Sequence, residues 1–462
     1  MDLRSRLRSI VRGSDPGEAS PGDGERPARH RAPLDGAGRN GGLRELTYEP
    51  DPGAYEASLD PDRIGEVLGG QSMRTNFGAC LVIDRRYEAD RRHGSLFIGD
   101  CEVADVAGLK LLDPTLAAPE AARTVFIDLE TTGISGGAGT VAFLVGCGYF
   151  DLGAFQVRQF LLTSYSAERA LLAAVGGFFE DADLIVSYNG KTFDLPVMET
   201  RWTFHRMDMP LDGVPHFDML HPARRLWSSR TVPGADEGSC RLSTLERVLF
   251  DVSRVGDVPG CEIPSRFFRF LRTGDPRPLE PVLEHNRLDL VSLAAVTARA
   301  VRLTRDGADA CRDVREALAL GRVYERCGLM ARAAVCYRRA SCADLVEVRS
   351  EALYRLGLGF RRARRYGEAA DCWRALLTAT EPARVCRHPT MRALRKFATE
   401  ALAIHHEHRD RDLPAARELA LFALEAAEES GSRSDGIRHR LARLERKIAR
   451  PRLIAKSAQL FS

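Results

Sequence analysis

Residues 123–133 read Arg-Thr-Val-Phe-Ile-Asp-Leu-Glu-Thr-Thr-Gly. Thr124 to Ile127 are β-branched or aromatic and favour a strand. Asp128 and Glu130 stand two apart, so a strand points both to one face. They fall where an apolar strand ends and Thr131-Thr132-Gly133 begins a turn. Two carboxylates so placed repel, and each raises the other's pKa unless a cation lies between them. Magnesium or manganese suits hard oxygen ligands that leave water positions open. Alone, Asp-x-Glu also describes a solvated strand end with two unrelated acids, so the assignment depends on the rest of the chain.

The remaining 451 residues bound the reading. A chain of 462 residues exceeds one core and implies two to three domains. Hydrophobic content of 44% with 28% charge describes a globular protein. No apolar run reaches the length of a membrane span, and the basic N-terminus lacks the apolar segment of a secretory leader. Eleven cysteines without a Cys-x-x-Cys pair argue against a disulfide framework or a zinc site and suit the reducing cytoplasm. The net charge of +3 is uneven: residues 311–462 hold 31 Arg and Lys against 19 Asp and Glu, an excess of 12 that leaves −9 elsewhere. A basic C-terminal third beside an acidic site suits a polyanionic substrate. Only five of the basic residues are lysine, a bias that genome composition also produces.

In chain order, residues 1–44 are rich in Gly, Pro and Arg and read as a disordered tail, with Leu3, Leu7, Ile10 and Val11 able to line one face of a short basic helix. Residues 45–122 form a β-containing lead-in. Residues 123–305 follow as an α/β domain: a strand over 123–130, strands at Val141 to Phe150 and Phe155 to Leu162, a helix from Ala167 to Phe179, a strand at Leu184 to Ser187, a helix from Leu195 to Arg206 and a strand near Pro215 to Met219. That order makes a mixed sheet flanked by helices. From residue 311 the pattern becomes helical. Leu320-Gly321-x-x-Tyr324 with Ala333, Tyr337 and Ala340 recurs as Leu356-Gly357-x-x-Phe360 with Ala369, Trp373 and Leu376, the tetratricopeptide spacing. These repeats span 311–426, with Leu413 to Leu424 a degenerate third copy. Residues 427–462 hold a basic helix and tail.

Two further elements carry chemistry. Tyr188-Asn189-Gly190-Lys191-Thr192-Phe193-Asp194 brings Asp194 to a turn just past a strand end, within reach of the first pair. Asn189 is placed to orient it or to bond substrate, and Lys191 to meet a phosphate. Gly190-Lys191-Thr192 is not a P-loop, because Ile185 stands where that motif needs glycine. In Glu284-His285-Asn286-Arg287-Leu288-Asp289, His285 and Asp289 are four apart and share a helix face, with Leu290, Leu293 and Val296 as the buried stripe. A histidine one turn from a carboxylate suits activation of a water.

Together, Phe126 to Gly133, Asn189 to Asp194 and His285 to Asp289 resemble the DEDD exonucleases of the ribonuclease H-like superfamily. Gly136-Gly137-x-Gly139-Thr140-x-x-Phe143-Leu144-Val145-Gly146, His216-x-Asp218-x-Leu220-His221-Pro222 and Cys240-Arg241-Leu242-Ser243 are similar to the bacterial YprB-like group, which joins that fold to tetratricopeptide repeats. The strand and helix order matches the same fold. The resemblance implies that Asp128, Glu130, Asp194 and Asp289 bind two divalent metal ions, Mg2+ or Mn2+, with His285 as general base or water positioner. Thr131, Thr132, Asn189, Lys191 and Phe193 are the implied substrate contacts. Three residues separate His285 from Asp289, where the histidine branch of these enzymes has four and the tyrosine branch three. Asp218 is a reserve carboxylate.

The activity so implied is a 3′→5′ exonuclease on single-stranded DNA or RNA ends. Two alternatives share the chain: a structure-selective endonuclease, and a nucleic-acid-binding scaffold whose repeats recruit a protein partner.

Overall fold

The computed structural model describes residues 59–449, apart from 104, 118, 120–122, 134–138, 229–239, 382–387 and 430–432. The N-terminal tail with Leu3, Leu7, Ile10 and Val11, the start of the lead-in, Gly136 and Gly137, and the residues beyond 449 lie outside the described residues.

Helix α1 (Pro61–Leu68) precedes the hairpin β1 (Gln71–Thr75) and β2 (Gly78–Tyr87). A two-residue pair, β3 (Arg92–His93) and β4 (Leu96–Phe97), and α2 (Val106–Leu112) follow. Next come β5 (Thr124–Thr131), β6 (Ala142–Asp151) and β7 (Ala154–Leu161), then α3 (Glu168–Phe179), β8 (Leu184–Ser187), α4 (Asp194–Phe204) and β9 (His216–Asp218). The seven-stranded sheet has the order β1-β2-β7-β6-β5-β8-β9. β8 pairs in parallel with β5 on one side and β9 on the other, and the remaining pairs are antiparallel. Residues 71–87, assigned to the lead-in on sequence, supply the first two strands of this same sheet.

Strand alternation decides what each face of β5 meets. Val125, Ile127 and Leu129 pack with Leu171, Leu172 and Val175 of α3 and with Phe267 and Phe270 of α7 (Ile263–Thr273). Phe126 points the other way and shares a core with Leu290, Leu293 and Ala294 of α8 (Glu280–Asp306). Asp128 and Glu130 follow Phe126 at steps of two and lie on the α8 face. Helices α5 (Leu220–Trp227) and α6 (Leu242–Phe250) complete that layer.

Helix α8 has 27 residues and is about 40 Å long. Its C-terminal half carries the helical region: α9 (Val314–Arg326), α10 (Met330–Ser341), α11 (Val346–Arg362), α12 (Tyr366–Ala379), α13 (Pro389–His405), α14 (Leu413–Glu429) and α15 (Asp435–Ala449). One hydrophobic core runs without interruption from Phe126 through α8 to Leu320, Tyr337 and Leu356. Buried Glu316 locks the joint, accepting from Trp227 Nε1 at 2.8 Å and from Arg299 Nη2 at 2.9 Å. The repeated Leu-Gly pairs have a packing cause. A Cβ on Gly321 would lie 2.5 Å from the Tyr337 ring, and one on Gly357 would lie 2.3 Å from Trp373 Nε1. Each glycine admits the aromatic ring of the next helix. Two basic residues of α15 serve an internal purpose: Arg443 and Lys447 both donate to buried Glu407, at 2.6 and 2.8 Å.

Candidate active site

Asp128, in β5, is fixed by α8. Asn286 Nδ2 donates to Asp128 Oδ2 at 2.8 Å and to the Asp128 carbonyl at 3.2 Å. Asn286 Oδ1 accepts from Gln159 Nε2 of β7 at 2.8 Å, and Gln159 Oε1 accepts from Arg287 at 3.1 Å. Asn286 and Gln159 are fully buried, so this amide chain is satisfied as interior polar groups require. It needs space at Gly146, which pairs with Asp128 across the sheet: a Cβ there would stand 2.1 Å from Asn286 Oδ1. A glycine inside an apolar strand often marks such a close approach.

Asp194 is the first residue of α4 and is buried, its carboxylate beside that of Asp218 at the end of β9. Asp218 is buried and committed to the backbone. It accepts backbone N–H bonds from Asn189 at 2.8 Å, Lys191 at 3.1 Å and Leu220 at 3.0 Å, and so fastens the turn that leads to Asp194. Asn189 takes φ +69°, the left-handed region that asparagine tolerates, and its side chain accepts from Thr192 Oγ1 at 2.7 Å. Lys191 is exposed and reaches Asp113 at 3.3 Å, and Phe193 precedes the first turn of α4. Thr131 Oγ1 donates to the Gly133 carbonyl at 2.8 Å, and Thr132 Oγ1 accepts from the Val141 N–H at 3.0 Å. Both threonines therefore close the turn after β5.

On α8, His285 and Asp289 sit in a polar network that sequence reasoning did not find. His285 Nδ1 lies 2.6 Å from Asp257 Oδ1, and His285 Nε2 lies 3.5 Å from Asp289 Oδ2. Arg254 donates from Nη2 to Asp289 Oδ1 at 2.5 Å and from Nε to buried Glu246 at 2.6 Å, and lies 3.3 Å from Asp257. Glu246 also accepts from Ser292 Oγ, which is 3.0 Å from His93 Nε2. Arg254 and Asp257 stand in an irregular segment between α6 and α7, where no periodicity announces them. Asn286 carried a readable signal: it extends the buried stripe of Leu290 and Leu293 by one turn, and a polar residue on such a stripe must be partnered.

The electrostatics join the elements. Desolvation holds the Asp128 carboxyl well above its usual range, and the charges of Asp289, Glu130 and Asp194 add to it. Glu130 is likewise raised by desolvation, then by Asp289, Asp194 and Asp257. Burial, with Asp218 second, pushes Asp194 up to about 7. Carboxylates from β5, α4 and α8 thus share one field, and their donor set is the hard-oxygen chemistry that divalent cations take. No three of the described His, Cys, Asp and Glu side chains are gathered tightly enough to form a ready-made cage.

The profile of the RNase_H superfamily matches residues 125–301, a span that contains all four carboxylates. The chain is also 30% identical over 381 residues to the uncharacterized protein YprB of Bacillus subtilis (strain 168), covering 80% of this chain and 86% of that protein. The chain belongs to the YprB family. No described helix is long and apolar enough to cross a membrane.

Proposed function

We propose that the chain is a metal-dependent nuclease that hydrolyses phosphodiester bonds, acting as a 3′→5′ exonuclease on single-stranded DNA or RNA. The observation that supports this most is the common electrostatic field of Asp128, Glu130, Asp194 and Asp289, brought from three separate elements of an RNase H-like sheet. These four would hold two Mg2+ or Mn2+ ions. Bound there, such ions supply activation of the attacking water and stabilisation of the leaving 3′ oxygen.

The chain's own residues set the stage. Asn286 fixes Oδ2 of Asp128. Asp257 lies against Nδ1 of His285; in the tautomer that donates there, Nε2, on the Asp289 side, would accept a proton from water. Lys191, at the rim, meets substrate phosphate. We assign residues 123–305 to the nuclease domain, together with strands 71–87, and the hairpins of 311–426 to tetratricopeptide-like repeats that brace it and can seat a protein partner. The second reading, a binding scaffold with a weak site, draws on the Arg254–Asp289 pair, which engages one of the four carboxylates.

Oligonucleotides labelled at either end test the assignment. Stepwise shortening from the 3′ end supports the exonuclease. Cutting of a circular single strand would replace it with the endonuclease reading.

A further inference from the structure

A cleft of about 630 Å³ opens between α5 and the first helices of the helical region. Six arginines line it: Arg224 and Arg225 from α5, Arg322 and Arg326 from α9, and Arg355 and Arg362 from α11. Their acidic neighbours are fewer. Arg322 and Arg355 share Glu351, each bonding it at 2.9 Å, while Arg355 and Arg362 share Glu325 at 2.7 and 3.2 Å. Arg224 and Arg326 are exposed, and neither side chain has an ion-pair or hydrogen-bond partner among the described residues. Partial desolvation of its inner part, and then the charge of neighbouring Arg225, lower the Arg326 pKa from its ordinary value. Six guanidinium groups against the two carboxylates of Glu325 and Glu351 leave the cleft a net positive field.

The cleft is tied to the candidate active site through the end of α2. Three consecutive residues there accept from three different elements. The Leu111 carbonyl accepts from Cys327 at the end of α9 at 3.3 Å, the Leu112 carbonyl from Arg225 at 2.8 Å, and the Asp113 carboxylate from Lys191 at 3.3 Å. Lys191, in the turn before Asp194, and Arg225, in the cleft, are therefore neighbours. Helix α5 starts two residues after Asp218, and Arg224 follows about 6 Å along its axis from Leu220. Arg224 also acts electrostatically on Tyr188, which opens it.

We propose that this cleft carries the single-stranded backbone of the substrate, its phosphates held by Arg224, Arg326 and their neighbours and passed over Lys191 to the carboxylates. The assignment rests on the nuclease reading above and names the surface that reading lacks. Guanidinium forks match phosphate oxygens in bidentate fashion and read no sequence, as an enzyme that moves along a strand requires. An acidic polypeptide would use the positive charge but not the continuity with the site.

The test is binding of a fluorescent 20-nucleotide single strand, DNA and RNA, to the full chain in EDTA over a range of salt. The Arg224→Ala/Arg326→Ala double variant should bind at least 10-fold more weakly. Two lost phosphate contacts should also reduce the slope of log affinity on log salt by about 1.4. An Arg63→Ala/Arg392→Ala control, exposed elsewhere, should bind as wild type. Thermal melts of both variants should match wild type, because neither pair of changes removes a core contact. Unchanged affinity and slope would overturn the cleft assignment, and if manganese-dependent cleavage persisted the nuclease reading would stand without it. Weakened binding in a protein that cleaves nothing would keep the cleft and remove the nuclease. Weakened binding of poly-glutamate with oligonucleotide binding intact would give the cleft to an acidic protein.

Discussion

Replacing Gly146 by alanine tests the support of Asp128 directly. The added Cβ would stand 2.1 Å from Asn286 Oδ1 and 2.8 Å from its Cγ and Nδ2. Asn286 cannot swing aside freely, since Oδ1 is held by Gln159 and Nδ2 by Asp128, both at 2.8 Å. Overpacking of this kind costs about 1–3 kcal/mol. Losing a hydrogen bond to a charged group costs about 1.5–3 kcal/mol more. The sum, about 2.5–6 kcal/mol, should lower the melting temperature by roughly 10 °C. Differential scanning fluorimetry reads that shift, and cleavage should fall with it as Asp128 loses its anchor. Truncating the clashing partner should relieve the strain: Gly146→Ala/Asn286→Ala should be less damaged than the two single changes added, by about 1–3 kcal/mol. A Gly146→Ala protein that melts within a degree of wild type, or a strictly additive pair, would refute the packing argument.

Other outcomes follow from the same network. Arg254→Met leaves Glu246, Asp257 and Asp289 without their shared cation and should cost about 3–5 kcal/mol in chemical denaturation, so a wild-type midpoint would contradict it. Buried His93, its pKa lowered to about 4 by desolvation and by Arg254, resists the proton that its unfolded form takes near 6.5. The fold should therefore lose up to about 3 kcal/mol as pH falls from 6.5 to 4, and His93→Gln should flatten that part of the pH–stability curve. Asp194 has the opposite sign. Its folded carboxyl, raised to about 7, keeps a proton that the unfolded one sheds near 3.8, so stability declines as pH climbs through that window. Asp194→Asn should raise the melting temperature in EDTA at neutral pH, and Mn2+ should stabilise wild type more than the variant.

The strands were legible because their signals are local. The β-branched run at Thr124 to Ile127 and the apolar run Leu184 to Val186 announce β5 and β8 within a residue of their observed bounds. The helical C-terminal region was readable because Gly321 and Gly357 recur with the aromatic residues that fill the space above them. The place of residues 71–87 was not legible. Whether a hairpin extends a neighbouring sheet or stands apart depends on pairing with β7, about 70 residues later, and no local pattern encodes that partner. The carboxylates of the site were visible as types and spacings. Their environment was not: Arg254 and Asp257 come from an irregular segment, and Gln159 reaches Asn286 from 127 positions away. A sequence displays residues able to carry charge, whereas what shares that charge is decided by tertiary packing.

The central claim is that these carboxylates drive metal-dependent hydrolysis of nucleic acid. Its most direct test is degradation of 3′- and 5′-labelled single-stranded DNA and RNA with Mn2+ or Mg2+, comparing wild type with Asp128→Asn. Metal-dependent loss from the 3′ end, at least 100-fold slower in a variant that melts no lower than wild type, is the predicted result. Equal degradation by both proteins, or none by a folded wild type that binds Mn2+, would contradict it.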